Sequence, residues 1–283
     1  MPLPPRPSPA GGTSLKTAGV AMPRRRFLFL LASVSVSAWY RRPAAAADAP
    51  VVAAASDLEF ALTELAEAFT RRTGQRVRLS FGSSGNFRRL IAQGGPYEIF
   101  LSADEDYVLA LHKDGLTVDA GVLYASGRIV LFAAHDSPLE VDPELRGLRA
   151  ALAEARIERF AIANPEHAPY GRRAREALEH AGLWEPIQDH LVLGENVAQA
   201  AQFAASGAAQ GGIVAHSLAA APRLGERGRF ALIPEDWHRP LRQRMVLLRR
   251  AGATARAFYD YLQGAEARAI LTRYGFALPD DAA

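Results

Sequence analysis

From Val51 onward, short apolar runs alternate with amphipathic stretches, the pattern of α/β units built on parallel strands. Val51 to Ala55 reads as a buried strand. Leu58, Leu62, Leu65 and Phe69 then recur at helical spacing, with Ser56 a candidate N-cap, Glu59 its capping-box partner and Gly74 the closing glycine. Val77, Leu79 and Phe81 alternate with polar residues as a second strand. Gly82-Ser83-Ser84-Gly85 turns from it into a helix with Phe87, Leu90 and Ile91 on its inner face. Ile99 to Leu101 is a third strand. Asp104-Glu105-Asp106 then places carboxylates at a helix start, where the helix dipole favours them. Ile129 to Ala133 is the fourth strand, and the chain is expected to leave its first unit there.

A second series follows, with strands at Phe160 to Ala163, Leu191 to Leu193, Ile213 to Ala215 and Phe230 to Ile233, and helices at about Pro169 to His180 and Val197 to Ala205. Met245 to Leu248 is apolar again, and helical segments at Thr254 to Leu262 and Ala265 to Tyr274 finish the chain. The expected fold class is therefore α/β with two lobes, each a mainly parallel sheet flanked by helices, around a cleft. Residues 48–131 with 247–283 would form the first lobe and 132–246 the second. Ligands of such folds sit beyond the carboxyl ends of the strands, at helix starts.

The charge changes the picture only once it is divided along the chain. The 283 residues carry a formal net charge of +3, yet seven of the 33 basic residues precede Asp48 and no acid does, leaving 26 basic against 30 acidic residues from there on. Arg24-Arg25-Arg26, the apolar stretch Phe27 to Trp39 and Ala44 to Ala47 have the layout of an export signal, so residues 1–47 are expected to be removed. Arg24-Arg25-x-Phe27-Leu28 also resembles the twin-arginine pattern, an ordinary signal being the alternative. Met22 is an alternative start. The stretch is too short for a spanning helix, which needs about 20 residues. A mature chain of about −4 argues against nucleic acid as a partner. The chain has no cysteine, which excludes disulfides, thiolate metal sites and a lipid anchor on cysteine. A monomer free in the periplasm is expected.

Four strand-to-helix turns share a chemistry: Ala55-Ser56, Ser83-Ser84-Gly85, His167 to Tyr170, and Glu195-Asn196-Val197. Helix starts offer N–H groups without intrahelical partners and a partial positive charge. Two of the turns add serine hydroxyls, and none contains Lys or Arg. Donors without cations suit a fully ionised oxyanion. A serine there can instead serve only as a helix cap. An organic acid would call for an arginine clamp, whereas Arg88 and Arg172 lie past the first helical residues. Gly82-Ser83-Ser84-Gly85 is not a nucleophile elbow, and the seven histidines lack metal-ligand spacing, so no enzyme activity and no cofactor are expected.

At these same positions the chain resembles the periplasmic molybdate-binding proteins that serve ABC importers. The matching stretches are Val52 to Ser56, Ser80 to Gly85, Tyr97 to Asp104, Asn164 to Gly171, Glu195 to Val197, Gly212 to Val214, Ala257 to Gly264 and Arg273 to Phe276, in family order. The resemblance implies a type II solute-binding fold closing on one molybdate or tungstate ion, delivered to an inner-membrane permease with a cytoplasmic ATPase. It implies ligand contacts from the hydroxyl and N–H of Ser56 and Ser84 and from the N–H groups of Tyr170 and Val197. Molybdenum would enter only as the oxyanion, held through its oxygens. Many members add a tyrosine hydroxyl where this chain has Ala215; His216, Ser217 or the Tyr170 hydroxyl are the alternatives for that donor. Sulfate or phosphate is the competing ligand.

Overall fold

The computed structural model describes residues 49–279. The export signal expected in residues 1–47 lies outside them. The chain runs β1 (Val51–Ala55), α1 (Glu59–Thr73), β2 (Arg78–Gly82), α2 (Ser84–Ala92), β3 (Tyr97–Ser102), α3 (Glu105–Lys113) and β4 (Val122–Gly127). It continues through β5 (Ile129–Ala134), α4 (Arg146–Ala153), β6 (Phe160–Ala163), α5 (Pro169–His180), α6 (Trp184–Ile187), β7 (Leu191–Gly194), α7 (Val197–Ala205) and β8 (Gly211–Ala215). Two short helices, α8 (His216–Ala219) and α9 (Pro222–Gly225), lead to β9 (Gly228–Leu232) and β10 (Leu241–Leu247), before α10 (Ala253–Tyr261) and α11 (Ala265–Arg273).

The strands form two five-stranded sheets, β2-β1-β3-β10-β4 and β7-β6-β8-β5-β9. In the first, β1 pairs parallel with β2 and β3, while β10 runs antiparallel between β3 and β4. The second repeats the plan: β6 is parallel to β7 and β8, and β5 runs antiparallel between β8 and β9. Four strands of each five thus share a direction, and their carboxyl ends carry the helix starts that concern function.

The two expected lobe boundaries shift. Ile129–Ala134, expected to close the first lobe, pairs with β8 and β9 in the second sheet. All of Leu241–Leu247, expected to lie mostly in the second lobe, belongs to the first sheet. Strand β5 is a plain apolar run buried throughout, and nothing local in such a run says which sheet it joins; the mixed sequence of β10 does not name its sheet either. The crossings lie at Arg128, between β4 and β5, and between β9 and β10. Strand β4 and helix α4 are elements the apolar pattern leaves unmarked.

Apolar burial follows the helical spacing in α1, where Leu62, Leu65 and Phe69 pack under the first sheet with Phe258 and Leu271 of the C-terminal helices. Phe69 and Phe258 meet edge to face at 5.1 Å. The other face of that sheet is covered by Phe87, Ile91, Val108 and Leu111 from α2 and α3. Leu90, expected on the inner face of α2, is instead 40% exposed. The second lobe has one core, with Phe132, Phe160, Ile162, Leu178 and Ile213 at its centre.

Candidate functional site

The four helix starts named from the sequence converge. Ser56, Ser84, Tyr170 and Val197 all line one hollow between the lobes, with Asp57, Gly82, Ser83, Ala103 and Pro169 completing most of its wall. Ser56 follows β1 and Ser84 follows β2, from one side; Tyr170 lies in the first turn of α5 and Val197 opens α7, from the other. Its volume is about 10 Å³, well under the 300–1,000 Å³ of organic-ligand pockets. Among the described residues, no Lys or Arg lines it.

The lobes meet closely around this hollow. The Gly85 N–H donates to the His167 carbonyl at 3.0 Å, and Ser83 Oγ lies 2.9 Å from His167 Nδ1. The Ala198 N–H, in the first turn of α7, donates to Ser56 Oγ at 3.2 Å. Asn86 bonds Glu195, and Arg172 bonds Tyr107, across the same seam. The buried Arg173 guanidinium reaches Asp104 at 3.4 Å. Gly85 permits this approach, because a Cβ there would stand 2.6 Å from the His167 carbonyl oxygen.

The two serines do not cap their helices. Ser56 is the first residue of a 3₁₀ turn, Ser56–Leu58, with no side-chain cap bond, and the expected capping box with Glu59 does not form. Ser84 is the first residue of α2, behind Ser83. Its hydroxyl instead accepts from the Ala103 N–H at 3.0 Å, as Ser56 Oγ accepts from Ala198. A hydroxyl has one proton to donate and two lone pairs. With a backbone N–H on the oxygen of each, the proton of each stays available to a guest. The N–H groups of Tyr170 and Val197, in the first turns of α5 and α7, have no carbonyl one turn earlier to meet.

None of the three alternatives for the donor at Ala215 points into the hollow. The Tyr170 hydroxyl donates to Asp57 Oδ2 at 2.9 Å. Ser217 Oγ donates to the Asp57 carbonyl at 2.8 Å, and His216 Nδ1 lies 3.2 Å from the Gly275 carbonyl with its ring against Phe230. These contacts expose a residue the sequence reading missed. Asp57 sits 1% exposed in the wall of the hollow, its Oδ2 also receiving the Gln243 amide at 2.6 Å. Tyr124 donates in turn to Gln243 Oε1 at 2.6 Å. Burial pushes the Asp57 carboxyl up to about 6, against the lowering effect of the Gln243 and Tyr170 bonds. Burial, with Asp57 adjacent, holds the Tyr124 and Tyr170 hydroxyls well above their ordinary range, so both remain donors. The only sequence signal for Asp57 was an acid at a helix start, which the dipole alone accounts for.

Helix starts from both lobes and serine hydroxyls from the first, turned to one small hollow, define a solute-receptor architecture. Residues 50–277 match the model of the bacterial extracellular solute-binding proteins, and the chain belongs to that family, among its ModA-like members. It is 37% identical to the molybdate-binding protein ModA of Rhodobacter capsulatus over 238 residues, covering 83% of this chain and 90% of the relative. The ModA of Azotobacter vinelandii is 36% identical over 230 residues, 80% of this chain and 89% of the relative. The solved structure of the periplasmic molybdate-binding protein of Azotobacter vinelandii superposes with a TM-score of 0.75 at 32% identity, covering 81% of this chain and 99% of that one.

Proposed function

We propose that the protein captures molybdate, with tungstate as its near-isosteric competitor, by closing its two lobes on the anion. The observation that carries this reading is the pairing at the serines: Ser56 and Ser84 each hold a backbone N–H on oxygen and keep a proton to give. With their own N–H groups and those of Tyr170 and Val197 they offer six donors and no cation. That suits a tetrahedral dianion with no proton of its own. Charge-assisted hydrogen bonds contribute about 1.5 to 3 kcal/mol each. Six such bonds, less the cost of ordering and closure, reach the roughly −8 to −12 kcal/mol of micromolar to nanomolar binding. Contacts shared by both lobes stabilise only the closed state, so the anion itself drives closure.

The receptor would be exported through residues 1–47, act as a monomer in the periplasm without a resident cofactor, and pass its cargo to a membrane permease driven by a cytoplasmic ATPase. The names and the coverage of the relatives support molybdate over other oxyanions. Calorimetric titration with molybdate, tungstate, sulfate and phosphate tests it. Micromolar or tighter binding of molybdate and tungstate is expected; heat from sulfate or phosphate with none from molybdate would overturn the assignment.

A further inference from the structure

Among the described residues, Asp57 is the one carboxyl in the wall of the hollow, and only half of it is satisfied. Its Oδ2 takes the Tyr170 hydroxyl from one lobe and the Gln243 amide from the other. Its Oδ1 is buried and has no hydrogen-bond partner. A carboxylate left so would repel an anion seated beside it, since an unpaired buried charge is costly and the hollow supplies no cation to offset it. A carboxylic acid with its proton on Oδ1 has the opposite effect, because it donates.

We propose that Asp57 binds the oxyanion as the neutral acid, its Oδ1–H supplying the donor that Ala215 cannot. Capture of the dianion then takes up one proton from solvent: the carboxylate gains an O–H bond, and that O–H donates to an oxygen of the anion. The inference rests on the reading of the hollow as an oxyanion site. The surroundings are suited to it. Tyr170 from α5 and Tyr124 from β4, through Gln243 of β10, are the titratable groups facing Asp57, and both stay protonated. On α1, Glu59 lines the outer groove with Arg223; on α8, His216 turns to Gly275; on β10, Arg242 and Arg244 pair with Glu105. No charged side chain moves the Asp57 carboxyl; burial does, to about 6, and an adjacent dianion would drive it further up.

The experiment is titration with sodium molybdate in buffers of differing ionisation enthalpy between pH 6 and 8.5. Wild-type protein should take up close to one proton per anion at pH 7.5 and lose affinity by up to about tenfold per pH unit above 6. Asp57→Asn places an N–H at the Oδ1 position while its oxygen keeps the Tyr170 and Gln243 bonds. It should take up no proton, show a flat pH profile and bind up to about a hundredfold more tightly than wild type at pH 8. Asp57→Ala should lose affinity at every pH. Wild-type molybdate binding with no proton uptake would overturn the role of Asp57 while leaving the molybdate assignment standing, and this readout needs no variant to fold. Absence of molybdate heat would instead sink the assignment on which the inference rests.

Discussion

A serine at a helix start either caps the helix with its oxygen or turns its proton outward, and Ser56 and Ser84 do the second. The distinction has consequences that can be measured separately. Ser84 is fully buried and its oxygen satisfies the Ala103 N–H within the same lobe. Ser84→Ala should therefore weaken molybdate binding by about 1 to 3 kcal/mol and cost the ligand-free protein about 1 kcal/mol for the stranded N–H. Ser56 holds an N–H of the opposite lobe. Ser56→Ala should weaken binding by a similar amount and leave the ligand-free melting temperature where it was. Parallel melting and calorimetry check both; unchanged affinity with lowered stability in each variant would return the two serines to a purely structural role.

At the scale of elements, what was legible was what is local. The starts of α2, α5 and α7 follow from turn residues and apolar spacing within a few positions, and the four expected site residues do line one hollow. The sheet membership of β5 and β10 was not legible, because the strands they pair with lie far along the chain. Asp57 was hidden for the same reason, since its partner Gln243 is 186 residues away. Gly85 shows the same limit. In the sequence it is a turn glycine, and in the fold it is where α2 meets the His167 carbonyl. Gly85→Ala would set a Cβ 2.6 Å from that backbone oxygen and 3.0 Å from the Tyr107 hydroxyl. The variant should fold normally, bind molybdate at least about tenfold more weakly because closure is held open, and show a smaller ligand-induced contraction in solution scattering. Wild-type affinity and contraction would mean that the seam yields freely.

For the molecule as a whole, charge and function pull in opposite directions. Residues 48–283 carry 26 basic and 30 acidic side chains, so a receptor of that span attracts no dianion by its net charge. Arg223 and Arg227 stand in a wider groove of about 490 Å³ that shares Ser56 with the hollow, but Glu59 lines it too. The favourable potential must then come from hydroxyls and helix starts pointed at one small volume. Such fields act over a few ångströms inside closed protein, where mobile ions do not enter, whereas exposed charges are screened over about 10 Å at 0.1 M salt. The equilibrium affinity for molybdate should accordingly change by less than about threefold when sodium chloride is raised from roughly 20 to 200 mM, the Debye length meanwhile shrinking severalfold. A receptor relying on a cationic patch would lose tenfold or more over that range. Calorimetry across a salt series separates the two, and a steep salt dependence would show that the arginines of the outer groove, and not the helix starts, dominate the hold on the anion.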